Sequence, residues 1–327
     1  MKIITIEEHV SFPEMEQHLP AEALARKKPS AAAAQMTPKL ADIEGERLRT
    51  MDECGITMQV LSVESTDVNL LDDHLSPKFA AAYNDKLADN IKAHPDRFAA
   101  FAHLPMTAPA AAADELERTV KTYGFKGAMI RGTTHGEFLD APKFAPILER
   151  AEKLDVPIYI HPGMPPQAAI DAYYSNIGGK PGFSEAVGCY GWGWHSETAI
   201  HVLRLLAAGT FDKYPKLNII IGHMGEMLPM MWVRSNRVFQ PGRGGENQRS
   251  LIDTFHDQLH ITTSGLFTQP PLQIALDTIG IDNIMFSIDY PFSTNQMGAD
   301  FLKEINLSQE DMKKLAYKNA ERLLKLG

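Results

Sequence analysis

Residues 157–161 read PIYIH and residues 218–223 read NIIIGH, and these two stretches decide the fold. Each is an almost unbroken apolar run that stops on a histidine. A strand apolar on both faces is what a parallel sheet covered on both sides requires. Six further segments share the character, at 2–7, 58–63, 98–103, 127–131, 259–264 and 284–289, which makes eight strands. Between them, apolar residues recur at helical spacing over 44–54, 77–94, 109–123, 142–154, 196–208, 226–238, 271–279 and 307–326. Four of these helices open on a proline, which suits the first helical position. Several stop at Gly or Pro punctuation, as at Cys54-Gly55, His94-Pro95, Tyr123-Gly124 and Ile279-Gly280. Strand then helix, eight times over, predicts an α/β protein built as a (β/α)8 TIM barrel. A doubly wound open sheet is the alternative, and the absence of GxGxxG after the first strand weighs against its dinucleotide-binding form.

The composition agrees. Of 327 residues, 44% are hydrophobic and 22% charged, which excludes a collagen, a fibre and a mostly disordered chain. Lys plus Arg number 32 against 41 Asp plus Glu, a formal charge of −9, so a nucleic-acid partner is not expected. Cys54 and Cys189 are the only cysteines and form no CxxC pair, so both are read as reduced thiols. The N-terminus MKIITIEEHV lacks the apolar core of a signal peptide. No apolar run approaches the ~20 residues of a membrane span. A cytoplasmic protein of one domain, 1–327, is expected.

Two stretches break the rhythm. Residues 20–40, rich in Ala, Lys and Pro, read as an inserted surface segment. Residues 163–195 carry many Gly, Pro and aromatic residues and follow the strand ending at His161. In a barrel such loops lie over the C-terminal face, so this one is expected to form a pocket lid.

Chemistry-bearing residues fall where strands end. Glu7 and His9 are two apart and share one side of their strand, while Glu8 points to the other side and is read as structural. His161, His223 and Asp289 end three other strands, and in a parallel barrel these ends meet on one rim. Buried charges are costly unless paired or bound to metal. Glu7, His9, His161 and Asp289 therefore make a site for one divalent ion, Zn or Mn. His103, His135, His195 and His201 are read as structural or loop histidines. His223 and Glu226, three apart, are spaced for a hydrogen bond that fixes the imidazole tautomer, as a catalytic or a purely structural pair.

The segments IEEH (6–9), YIHPG (159–163), GHMGEMLPMMW (222–232) and FSIDYPF (286–292), with the stretch 127–162, resemble the amidohydrolase superfamily. The branch they are most similar to contains γ-resorcylate, 2,3-dihydroxybenzoate and 2-amino-3-carboxymuconate semialdehyde decarboxylases. The resemblance spans nearly the whole chain and implies a barrel with loops over its C-terminal face and one Zn or Mn on Glu7, His9, His161 and Asp289. Lys126 sits at the wrong end of its strand for the modified lysine of binuclear relatives. The resemblance also implies Asp289 as the proton donor, His223 with Glu226 beside the substrate, and Arg234 as a substrate-binding cation. Arg234 otherwise reads as an exposed helix cation. Arg131 stands where those decarboxylases often have Asn, so it either binds a further anionic group of the substrate or pairs with a carboxylate such as Glu64. His195 replaces a smaller or apolar residue.

The expected function is metal-dependent, non-oxidative decarboxylation of a small hydroxylated aromatic carboxylic acid, with a homodimer or homotetramer as the assembly. The alternative is a hydrolase or hydratase of the same superfamily acting on a lactone, an amide or an unsaturated dicarboxylate.

Overall fold

A computed structural model describes residues 1–26, 31–65 and 67–327. Among the described residues nine strands run in parallel: β1 Ile4–Val10, β2 Met58–Val63, β3 Phe98–Ala100, β4 Ala102–His103, β5 Ala128–Arg131, β6 Ile158–His161, β7 Ile219–Ile221, β8 Leu259–Thr262 and β9 Ile284–Met285. Hydrogen bonding orders them β1-β2-β3 and β4-β5-β6-β7-β8-β9. Phe101 alone separates β3 from β4, so the predicted strand 98–103 passes from one ladder to the other without leaving the wall.

The last closure, between β9 and β1, is not a regular ladder. Residues 286–289, expected to extend the eighth strand, lie outside it. They are fastened by two backbone bonds, Asp289 N to Glu7 O at 3.0 Å and His9 N to Tyr290 O at 2.8 Å. Side chains complete the seam. Ser287 Oγ accepts the amides of Ile6 (3.0 Å) and Glu7 (2.6 Å), and the Glu8 carboxylate accepts the amides of Ile288 (3.0 Å) and Tyr290 (2.9 Å).

One layer of apolar side chains fills the barrel: Ile4, Ile6, Val60, Phe101, Met129, Tyr159, Ile220 and Met285, closed from below by Leu324 and Leu326. A second, larger layer lies between strands and helices. β1 changes faces part-way. Ile4 and Ile6 belong to the inner layer and Val10 to the outer one. The ladder pairs Thr5 with Gln59 and Glu8 with Leu61, so β1 carries one residue more than β2 over that interval. This bulge re-aims Glu7 and His9 into the barrel, as bulges beside active sites do. The strand runs on to Val10, past the predicted end at Glu7.

The helices fall near their expected positions, among them Ser76–Ala93, Pro109–Tyr123 and Ala145–Leu154. The predicted helix 226–238 differs at its start. Residues 223–227 form a turn in which His223, Met224, Gly225, Glu226 and Met227 all have positive φ, and the right-handed helix is Leu228–Asn236. A left-handed residue other than glycine costs about 1 kcal/mol, so the turn persists only because packing dictates it. Within 20–40 the chain is helical at Ala21–Arg26 and Ala31–Ala41; residues 27–30 lie outside the described residues. The segment is not wholly superficial, because Ala23 and Leu40 are buried. Among the described residues no helix is long and apolar enough to cross a membrane.

Candidate metal centre and active site

Glu7, His9, His161 and Asp289 each aim one ligand atom into a common space, all within 4.8 Å of one another. His9 Nε2 faces Asp289 Oδ1 at 3.0 Å, and His161 Nε2 faces Glu7 Oε1 at 3.4 Å. His9 Nε2, Glu7 Oε1 and Asp289 Oδ1 are buried, yet none has a hydrogen-bond partner in correct geometry. Orphaned buried polar atoms are rare, and three in one spot call for an explanation. Two imidazoles and two carboxylates converging in this way fit a divalent cation.

Each ligand is oriented from behind. His9 Nδ1 is 2.9 Å from Ser62 Oγ, and His161 Nδ1 is 2.8 Å from the carbonyl oxygen of Pro162, so both rings present Nε2. Glu7 Oε2 accepts hydrogen bonds from Tyr159, Thr262 (3.0 Å) and Ser264. Burial pushes the Glu7 carboxyl up from its ordinary value, against the attraction of His223. Burial, reinforced by the nearby Arg131 cation, holds His161 far below the usual imidazole range, which keeps its lone pair free for a metal.

The left-handed turn carries the second group. His223 Nδ1 bonds Glu226 Oε1 at 2.8 Å, and His223 Nε2 lies 3.7 Å from Asp289 Oδ2. Burial opposes charge on His223, but the carboxylates of Glu226 and Glu7 outweigh it and hold the imidazole well above its ordinary value. Burial likewise opposes charge on Glu226, and His223 outweighs it and lowers the carboxyl. His195 joins them: its Nδ1 is 2.6 Å from Glu226 Oε2 and its Nε2 is 3.1 Å from the carbonyl oxygen of Tyr190. Glu226 thus bridges two imidazoles, whose ring centres are 4.9 Å apart. His195, expected as a structural or loop histidine, ties the end of the 163–195 stretch to the His223–Glu226 pair.

The two arginines fare differently. Arg131 pairs with Glu64 at 2.6 Å, the second of the roles foreseen for it, and its Nη1 is 2.8 Å from His161 Nδ1. Its side chain is only 7% exposed. Arg234 is exposed and, among the described residues, makes no hydrogen bond or ion pair to the cluster. Ser62, Tyr159, Thr262 and Ser264 were not anticipated. Their signal was available: Tyr159 is two residues before His161, and Thr262 and Ser264 are two apart, so each pair shares a strand face.

A parallel α/β barrel with carboxylates and imidazoles gathered at one rim defines a metal-dependent barrel enzyme. The chain belongs to the amidohydrolase family, whose sequence profile matches residues 6–326. Decarboxylase orsB of Emericella nidulans is 39% identical over 303 residues, 89% of each chain. The γ-resorcylate decarboxylase of a Rhizobium species is 37% identical over 334 residues, covering 99% of this chain and 98% of the relative. The crystal structure of a dihydroxybenzoic acid decarboxylase from Polaromonas, with bound manganese and the inhibitor 2-nitroresorcinol, superimposes with a TM-score of 0.86 at 35% identity, over 99% of this chain and 97% of that one. The chain is accordingly a carboxy-lyase.

Proposed function

We propose that this enzyme removes the carboxylate of a small hydroxylated benzoic acid without oxidation. The convergence of four ligand atoms beside the His223–Glu226 pair carries this reading. One divalent cation, zinc or manganese, on Glu7, His9, His161 and Asp289 would supply positive charge to bind and orient the substrate carboxylate and its ortho oxygen. The protein residues do the rest. Asp289 gives its proton to the ring carbon that bears the carboxylate. The carbon–carbon bond then breaks, its electron pair restores the aromatic ring, and CO2 departs.

Asp289 must carry a proton at that moment. In the free site burial favours the neutral acid, but the adjacent imidazoles of His223 and His9 outweigh it and hold Asp289 below its ordinary value. A substrate carboxylate entering beside it adds negative charge, which raises the tendency of Asp289 to take up a proton. His223, held protonated by Glu226 and Glu7, donates its Nε2 proton to the phenolic oxygen and takes it back. Arg131, through Glu64 and the ligand imidazoles, sets the anionic end of the pocket, and Arg234 is assigned to a substrate oxygen. Met230, Met231 and Val233 are exposed on the same helix as Arg234, which supports assembly into the expected dimer or tetramer.

Manganese-loaded protein is to be incubated with a panel of hydroxybenzoates and a panel of lactones. CO2 release with hydroxybenzoates and no acid release from lactones supports the proposal; the reverse overturns it. Asp289→Asn should retain most of the metal and lose about 10²–10⁴-fold in kcat. Full turnover in that variant rejects Asp289 as the acid.

A further inference from the structure

Asp289 stands on backbone that would not hold it there unaided. Its φ is +71°, a left-handed conformation uncommon outside glycine. It lies in the stretch 286–289 that no regular ladder supports. The amides on either side of it are both captured by one side chain: Ile288 N donates to Glu8 Oε1 at 3.0 Å, and Tyr290 N donates to Glu8 Oε2 at 2.9 Å. Ser287 Oγ donates to Glu8 Oε1 at 3.0 Å. Glu8 is fully buried, and the three partners approach it only as donors. Burial pushes the Glu8 carboxyl up to about 8, and the Tyr290 and Ile288 amides oppose that shift; both of its oxygens are used as acceptors. The Glu8 carboxyl thus spans Asp289, holding the 287–288 and 289–290 peptide planes, while Asp289 N donates to Glu7 O at 3.0 Å and fixes the plane between them.

We propose that Glu8 is a positioning residue for the reaction, clamping the 288–290 backbone so that Asp289 points at the ligand cluster. This rests on the role given to Asp289 above. A glutamine at the position has the same shape but one acceptor oxygen. Its amide nitrogen would face a backbone N–H, donor against donor, and one half of the clamp opens. The backbone can then relax to negative φ and turn the Asp289 carboxylate away from His9 and His223. Glu7 and His9, on the opposite side of the strand, keep their own partners.

The test is Glu8→Gln, read by manganese affinity in titration calorimetry, by kcat and KM, and by melting temperature. The expected result is a loss of about 10–100-fold in kcat and in metal affinity, the range for partners that orient a metal ligand. KM for the best hydroxybenzoate should stay within about twofold, because the binding pocket is untouched. A lower melting temperature with wild-type kcat and wild-type metal affinity overturns the proposal and leaves Glu8 a seam residue only. A crystal structure of the manganese-loaded wild-type protein decides independently of whether the variant folds. Glu8 should remain on both amides with φ of Asp289 positive; Glu8 turned off either amide overturns the proposal. If the wild-type protein decarboxylates no hydroxybenzoate, the substrate reading fails, while calorimetry and backbone geometry still decide on Glu8.

Discussion

The space around Glu7 is set by what its neighbours lack. A Cβ placed on Gly222 would lie 2.6 Å from Glu7 Oε2 and 2.8 Å from Oε1. The backbone there is extended, with φ −82° and ψ −164°, so alanine is conformationally allowed and the obstacle is purely the carboxylate. Gly222→Ala is therefore expected to fold, displace Glu7 and weaken metal binding about 10-fold or more, with a matching fall in activity at limiting metal. Calorimetric titration with manganese checks it, and unchanged affinity would show that Glu7 is not held where the structure places it. In the sequence Gly222 is simply the residue before His223. Its role depends on a contact with a strand more than two hundred residues away, which no local pattern reveals. The same holds for Glu8: strand alternation correctly sends it away from Glu7 and His9, but its partners belong to the far end of the chain.

At the scale of the element, the period of the apolar residues located strands and helices because each was long enough to show it. What it missed is irregular. The extra residue in β1 leaves no trace in composition, yet it aims Glu7 and His9 inward. The left-handed turn 223–227 reads as a helix start because His223 and Glu226 have helical spacing, and only Gly225 hints otherwise. The helix Gly193–Ala207 carries both His195 and His201. Its His201 shows how a buried histidine ties an element to its neighbour. His201 Nε2 accepts the amide of Leu139 at 2.8 Å, and burial pulls its pKa down to about 4 from 6.5. The unfolded chain takes up this proton first as pH falls. The stabilisation is thus fully present above pH 6.5 and is lost as pH falls to about 4, amounting to about 3 kcal/mol. A His201→Gln variant keeps an acceptor for Leu139 but does not titrate. Its melting temperature should fall less steeply than that of the wild type between pH 6.5 and 4. Parallel profiles for the two proteins would exclude this contribution.

For the whole molecule, the ligand cluster and the weak closure of the barrel are one problem. β1 meets the chain after β9 through two backbone bonds and the side chains of Glu8 and Ser287, rather than through a full ladder. Glu7 and His9 stand on one side of that seam, Asp289 on the other, and His161 faces them from β6. A cation held by all four would brace the seam, and in its absence carboxylates of like charge face each other there. Ligand that binds only the folded state stabilises it by RT ln(1 + [L]/Kd), about 2.7 kcal/mol at a hundred times Kd. For a chain of this size that is a rise in melting temperature of roughly 4 °C. Chelation should therefore lower the melting temperature by that amount, and manganese should restore it in a concentration-dependent way. Amide hydrogen exchange locates the effect: protection should be lost first in residues 4–10 and 284–290, with the β5–β6 ladder changing least. A melting temperature indifferent to manganese, or loosening spread evenly over the barrel, would separate the cation from the closure and leave the seam to Glu8 and Ser287 alone.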